Sequence, residues 1–187
     1  MDQKDYEANL ETAMAYLRQG NKNDALSTIQ MALSQVPENE KLPENIPYLR
    51  ILYFSARFAI ESGDYNRSST LVHEGLKLNK LYPDLLFLDV LLSKLFHRYG
   101  EMLSSLLSFL ISIDLPEHAG VEYEFVNDTA LHEVLETYLP LAYGNTQNHA
   151  PIKEVVLNTM DKLRGITTGQ YLQKAYNIMS AMDNKNN

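Results

Sequence analysis

Five histidines, His73, His97, His118, His132 and His149, are the residues of this chain best suited to hold a metal or move a proton near neutral pH. A helical zinc pair needs two histidines three or four residues apart, and no two are so spaced. The run HEVLE, His132 to Glu136, has the first half of a zinc-protease motif without its second histidine. There is no cysteine, which excludes disulfides, thiolate metal sites and cysteine nucleophiles. The glycines are isolated, and GNTQN at Gly144 has no Lys-Ser/Thr sequel, so no phosphate-cradling loop is present. Serines crowd LSSLLSFLIS, Leu103 to Ser112, but without a Gly-x-Ser-x-Gly elbow they read as small helix-packing residues. No catalytic group and no cofactor is expected.

The chemistry that remains is recognition. Arg50 and Arg57 stand seven residues apart in YLRILYFSARFAI, on one face of a helix with Tyr53 and Phe54 between them. Two guanidiniums beside aromatic walls can take a carboxylate or an acidic side chain. The alternative is internal: Glu61, four residues after Arg57, is an available partner, and Tyr53 and Phe54 can pack within the fold.

The elements that must position these residues are helices. With only 8 Gly and 7 Pro in 187 residues, the chain is poor in the punctuation that a strand-and-turn protein needs. Its net charge of -8 repels phosphate backbones, and Lys and Arg are spread along the chain, so no nucleic-acid partner is expected. The longest apolar stretch without a charge, Met102 to Ile113, falls well short of the ~20 residues of a membrane span. No basic-then-apolar leader precedes MDQKDYEANLETA, which leads to the expectation of a cytoplasmic protein.

A helical stripe runs through Ala25, Leu26, Ile29, Ala32, Leu33 and Val36, and another through Leu10, Ala13, Met14 and Leu17. Gly20-Asn21 joins them into a hairpin that Pro37 ends. A second turn, Gly63-Asp64, lies between YLRILYFSARFAIES and YNRSSTLVHEGLKLN. Gly20 and Gly63 are 43 residues apart, and the third turn opens at His97, 34 residues further on. The nine-residue excess is ENEKLPENI, Glu38 to Ile46, a polar insertion before Pro47, which suits a first helical turn.

A 34-residue period of helix pairs resembles the tetratricopeptide repeat. Tyr16, Gly20, Ala25, Ile29, Ala32 and Pro37 match its aromatic, glycine, small, bulky, small and proline positions, and Ala59, Gly63, Ser68, Val72 and Gly75 match them again. In a third copy His97, Met102, Leu106 and Phe109 stand where glycine and small residues are usual. The resemblance implies an all-α fold: a right-handed α-α superhelix of stacked antiparallel helix pairs, seven to nine helices in a single domain spanning residues 1–187. Three pairs should fill residues 6–113, with turns at Gly20, Gly63 and His97–Gly100.

In such repeats the first helix of each pair lines a concave groove. The resemblance therefore implies partner-binding positions at Arg18, at Arg50, Tyr53, Phe54 and Arg57, and at Phe87, Leu91 and Lys94, contacting a protein or peptide. Lys and Asn are missing at the places of the carboxylate clamp of chaperone-binding members, so chaperone tails are not implied. The run YPDLLFL and the degenerate hairpin after it are also similar to repeat segments downstream of some bacterial family 2 glycosyltransferases. No Asp-x-Asp motif accompanies them, so that kinship implies an accessory module, positioning enzyme or acceptor protein, without the enzyme itself.

The second half begins with an acidic connector, residues 114–128, in which VEYEFV reads as a loop or a short strand. Residues 129–183 then hold a degenerate repeat and a capping helix. Asp128 or Thr129 caps a helix to about Tyr143. Pro151 opens the next, with a stripe of Ile152, Val155, Val156, Thr159, Met160 and Leu163. The last helix carries Tyr171, Leu172, Ala175, Tyr176, Met179 and Met182, and either caps the stack or docks a second copy as a homodimer.

Overall fold

The computed structural model describes residues 4–118, 121–167 and 169–185. These are helical, with no strand among the described residues beyond one isolated bridge between Arg164 and Thr167. None of the described helices is long and apolar enough to cross a membrane. The helices gather into two compact units, one up to Lys80 and the other from Leu81 onward.

The first unit is two hairpins: α1 (Asp5–Arg18) on α2 (Lys22–Gln35), and α3 (Ile46–Glu61) on α4 (Tyr65–Leu78), with α3 also against α2 and, more lightly, α1. In the second unit α5 (Pro83–Leu95) pairs with α6 (Tyr99–Ser112). A continuous helix follows, α7 (Asp128–Glu133), a π turn (Val134–Tyr138) and α8 (Leu139–Gly144). Then come α9 (His149–Leu163) and α10 (Gln170–Lys185), with α10 against α6, α8, the π turn and α9.

The three hairpin turns are built alike. The residue after each turn donates its N–H five residues back: Asn21 to the Tyr16 carbonyl at 2.9 Å, Asp64 to Ala59 at 2.8 Å and Arg98 to Ser93 at 2.8 Å. This is the Schellman closure, which needs a left-handed residue at its corner. Gly20 (φ 76°), Gly63 (φ 80°) and His97 (φ 55°) occupy it. The residues five, nine and twelve positions after each corner are buried: Ala25, Ile29 and Ala32; Ser68, Val72 and Gly75; Met102, Leu106 and Phe109. The third hairpin therefore keeps the register and fills it with larger side chains.

The corner residues make a test. No atom would meet a Cβ at Gly63, so Gly63→Ala carries the backbone cost alone, ~1–2 kcal/mol. His97→Gly removes the same strain and gives up the contact of its Nδ1 with the Tyr99 hydroxyl at 3.1 Å, for an expected net gain of about 0.5–1 kcal/mol. The melting temperature should fall for the first and rise for the second; a fall for both would show that the His97 ring outweighs its backbone.

The polar insertion is tied down. Lys4 Nζ lies 2.6 Å from the Glu40 carboxylate, to which the Tyr6 hydroxyl also donates. Asn45 donates to the Tyr6 hydroxyl (3.1 Å) and the Glu40 carbonyl (2.7 Å), while its Oδ1 caps α3 through the N–H of Tyr48 (3.1 Å). Pro47 stands in the first turn of α3, where its missing N–H costs nothing.

Two details of the second half differ from expectation. The cap of α7 is Asn127, whose Oδ1 accepts from the Ala130 N–H at 3.0 Å, rather than Asp128 or Thr129, which lie inside the helix. Of the α9 stripe only Val156 is buried, and Val155 is 61% exposed: α9 packs chiefly on α10, with His149 at its start stacked on Tyr143 of α8. The partly buried flank of α10, Leu172, Ala175 and Met179 at its centre, faces its own unit.

Candidate functional site

On the first unit the expected binding face divides into core and surface. Tyr53 and Phe54 are 0% and 1% exposed and meet edge to face at 4.8 Å, as suits a helix apolar on nearly all sides. They offer no wall to a groove. What reaches solvent is charged: Arg18 is exposed at the end of α1, and Arg50 and Arg57 are half-buried on α3. Arg57 is partnered, its Nε 3.3 Å from Glu61 Oε1 and its Nη1 3.4 Å from the Tyr53 hydroxyl. The other oxygen of Glu61 receives Lys22 at 3.3 Å, so one carboxylate serves two cations across the ends of the two hairpins. Arg50 forms no ion pair or hydrogen bond with the described residues.

On the second unit the same positions are already in use. Phe87 is 3% exposed and stacks on Phe125 with centroids 3.9 Å apart and planes at 17°; Phe109 and Tyr138 complete its surroundings at 5.8 and 6.2 Å. Lys94 is exposed, with Nζ 4.6 Å from the Tyr138 ring centre. Leu91 is half-buried. The segment covering this face is 121–127, the stretch read as loop or strand; it is loop, without regular structure.

Its anchor is Asp84, a residue the sequence did not single out. This carboxylate, 2% exposed in the first turn of α5, accepts the N–H of Glu124 at 3.1 Å and of Phe125 at 3.0 Å. Two backbone donors satisfy a buried charge that would otherwise be costly. Tyr123 lies edge-on to Tyr82 at 5.3 Å, and its hydroxyl meets Nδ1 of His118. Burial, with the charges of Asp84 and Glu117 adding to it, pushes the Tyr123 hydroxyl up to about 12. Burial also pushes His118 down, against the pull of Glu117, 3.8 Å from its Nε2. The ring is therefore neutral at pH 7.

One arrangement resembles a catalytic dyad. His149 Nδ1 lies 2.8 Å from Asp183, which also receives Lys153 at 2.5 Å and the Tyr143 hydroxyl at 3.0 Å. However, His149 Nε2 faces the carbonyls of Tyr143 and Thr146, both at 2.9 Å, and its ring is stacked on Tyr143 at 3.9 Å. No ring nitrogen is left to act as a base, so the cluster is a clasp joining α8, α9 and α10. Lys153 first, then His149 and Tyr143, hold the Asp183 carboxyl down at about 2. No group of three or more His, Cys, Asp or Glu that could hold a metal occurs among the described residues.

Sequence reasoning had no route to two grooves. One of about 660 Å³, shallow and open, runs beside α4, lined by Lys41, Tyr48, Ser69, Thr70, His73 and Lys77. Its floor is fixed by the Tyr48 hydroxyl donating to Glu74. The other, of about 500 Å³, lies between α9 and α10 around Met160, Arg164 and Gln173. Neither shares a period that a pattern could reveal.

Together these features describe an all-α protein of consecutive helical hairpins. Neither a known family model nor a curated protein sequence matches this chain.

Proposed function

We propose that this chain is a non-catalytic, protein-binding module of the tetratricopeptide kind, and that the first helices of its hairpins receive a segment of partner polypeptide. The observation that carries the reading is on α5. That helix already holds a length of irregular polypeptide through a carboxylate on two successive N–H groups and an aromatic stack. Within the first unit, α1 and α3 carry cations, Arg18 and Arg50 with Arg57 beside them, which suits an acidic partner segment.

The test is the double variant Arg50→Ala, Arg57→Ala, assayed by calorimetry against a partner captured on the full chain and identified by mass. Hydrogen bonds to charged groups contribute ~1.5–3 kcal/mol each, so affinity should fall by ~2 kcal/mol or more, about 30-fold, at an unchanged melting temperature. A lowered melting temperature with unchanged affinity would assign the arginines to the scaffold.

A further inference from the structure

Residues 121–127 are held as a bound peptide is held. The helix ladder of α7 begins at Asn127, whose carbonyl accepts from the Leu131 N–H at 3.0 Å. Ahead of it, residues 121–126 bond through their main chain to side chains and to a neighbouring turn: Glu124 and Phe125 donate to Asp84, Val121 donates to the His118 carbonyl at 3.2 Å, and the Glu124 carbonyl accepts from the Asn127 side chain at 2.9 Å. No helix or strand ladder runs through them. Phe125 and Tyr123 are half-buried against Phe87 and Tyr82, while Glu122 and Glu124 point to solvent. Segments with few ladder bonds and part-exposed side chains open at lower cost than the helices under them. Beneath the strap are a buried carboxylate and a buried aromatic ring, both poised for the same kind of ligand.

We propose that residues 121–127 are a built-in ligand that keeps the α5 face closed, and that when the strap lifts this face takes a partner segment of like chemistry. That segment is non-helical, with an aromatic residue whose own and preceding N–H groups are free to reach Asp84 while its ring stacks on Phe87. The inference rests on the reading of the first helices as polypeptide-binding, and it adds a gate and a ligand class. A tethered ligand acts at an effective concentration of roughly millimolar, so it excludes weak competitors and admits a partner only in proportion to the open fraction.

Two measurements on the full chain decide it. In native-state hydrogen exchange the Glu124 and Phe125 amides should exchange about 100-fold faster than those of Leu106 and Phe109 in α6, since the strap opens without the core. Equal rates would mean that the strap leaves only on global unfolding, which overturns the proposal. The second probe is the acetylated heptapeptide VEYEFVN, titrated against the native chain and a Phe125→Ala chain. The variant should bind it at least 10-fold more tightly than the native chain does, and the peptide VEYEAVN should not bind. Equal binding by the two chains overturns the proposal, and should Phe125→Ala not fold, the exchange rates still decide. Both readouts concern α5 alone, so they can fail while the arginine measurement on α3 succeeds, or the reverse.

Discussion

Phe87→Ala is expected to lower the stability of the chain by about 3–5 kcal/mol, the usual cost of deleting a buried phenyl ring. For a chain of this size that is a fall in melting temperature of roughly 6–20 °C. The ring is 3% exposed and touches three others, Phe109, Phe125 and Tyr138, contributed by α6, the strap and the π turn. No neighbour can collapse into the space without leaving its own contacts, which places the cost toward the upper end. Phe87→Leu should recover about half. Since the sequence nominates Phe87 for partner contact, the result has a second use. A loss below ~1 kcal/mol would show a ring facing water in solution, as the wall of an open groove.

Asp84→Ala should cost about 2–4 kcal/mol. Removing the carboxylate leaves the N–H groups of Glu124 and Phe125 without an acceptor, and hydrogen bonds to a charged group contribute ~1.5–3 kcal/mol each. Relief of the carboxylate's own desolvation offsets part of the loss, which is why the two bonds do not simply add. Asp84→Asn should recover less than half, because one oxygen can still accept while the amide NH2 is turned against a second donor. Thermal unfolding gives the magnitude, and amide exchange at Glu124 and Phe125 gives the location. If Asp84→Asn equals the native chain in both, the two hydrogen bonds are not what holds the strap.

The turns were the most legible part of the fold because a Schellman corner constrains both conformation and spacing. Glycine at 20 and 63 fixed two corners, and the constant offset located the third at His97 although the residue type had changed. The all-round apolar α3 was legible for a similar reason: a helix without a polar face has to be covered, and Tyr53 and Phe54 are. The pairing of Arg57 with Glu61, one helical turn apart, was open to a local rule as well. What stayed hidden depends on distant pairs. Asp84 meets residues 40 and 41 positions away, and Tyr6 meets Glu40 and Asn45 across the first hairpin. No periodicity records such contacts, so the strap read as a connector and the insertion as a spacer. The α9 stripe failed for the opposite reason: a periodic apolar face tells which side could be buried, not whether a neighbour is there to bury it.

The π turn in the second unit leaves a trace that can be read backward. From Ala130 to Tyr143 the buried residues form two rows, Ala130, Val134, Tyr138, Ala142 and Leu131, Leu135, Leu139, Tyr143, each stepping by four. An α-helix advances ~100° per residue, so a four-residue step overshoots the full turn by ~40°, and three steps would carry the end of a row ~120° away from the core. The wider turn at Val134–Tyr138 takes up that surplus, and it falls just ahead of Pro140, whose ring would clash with a carbonyl four residues back in a regular helix. Geometrically the helix is an ordinary one carrying a single extra residue. Deleting one of residues 134–138 would therefore restore the common pitch and leave Leu139, Ala142 and Tyr143 on the core side of the axis, with the Tyr143 end of the Asp183 clasp still turned toward its partner.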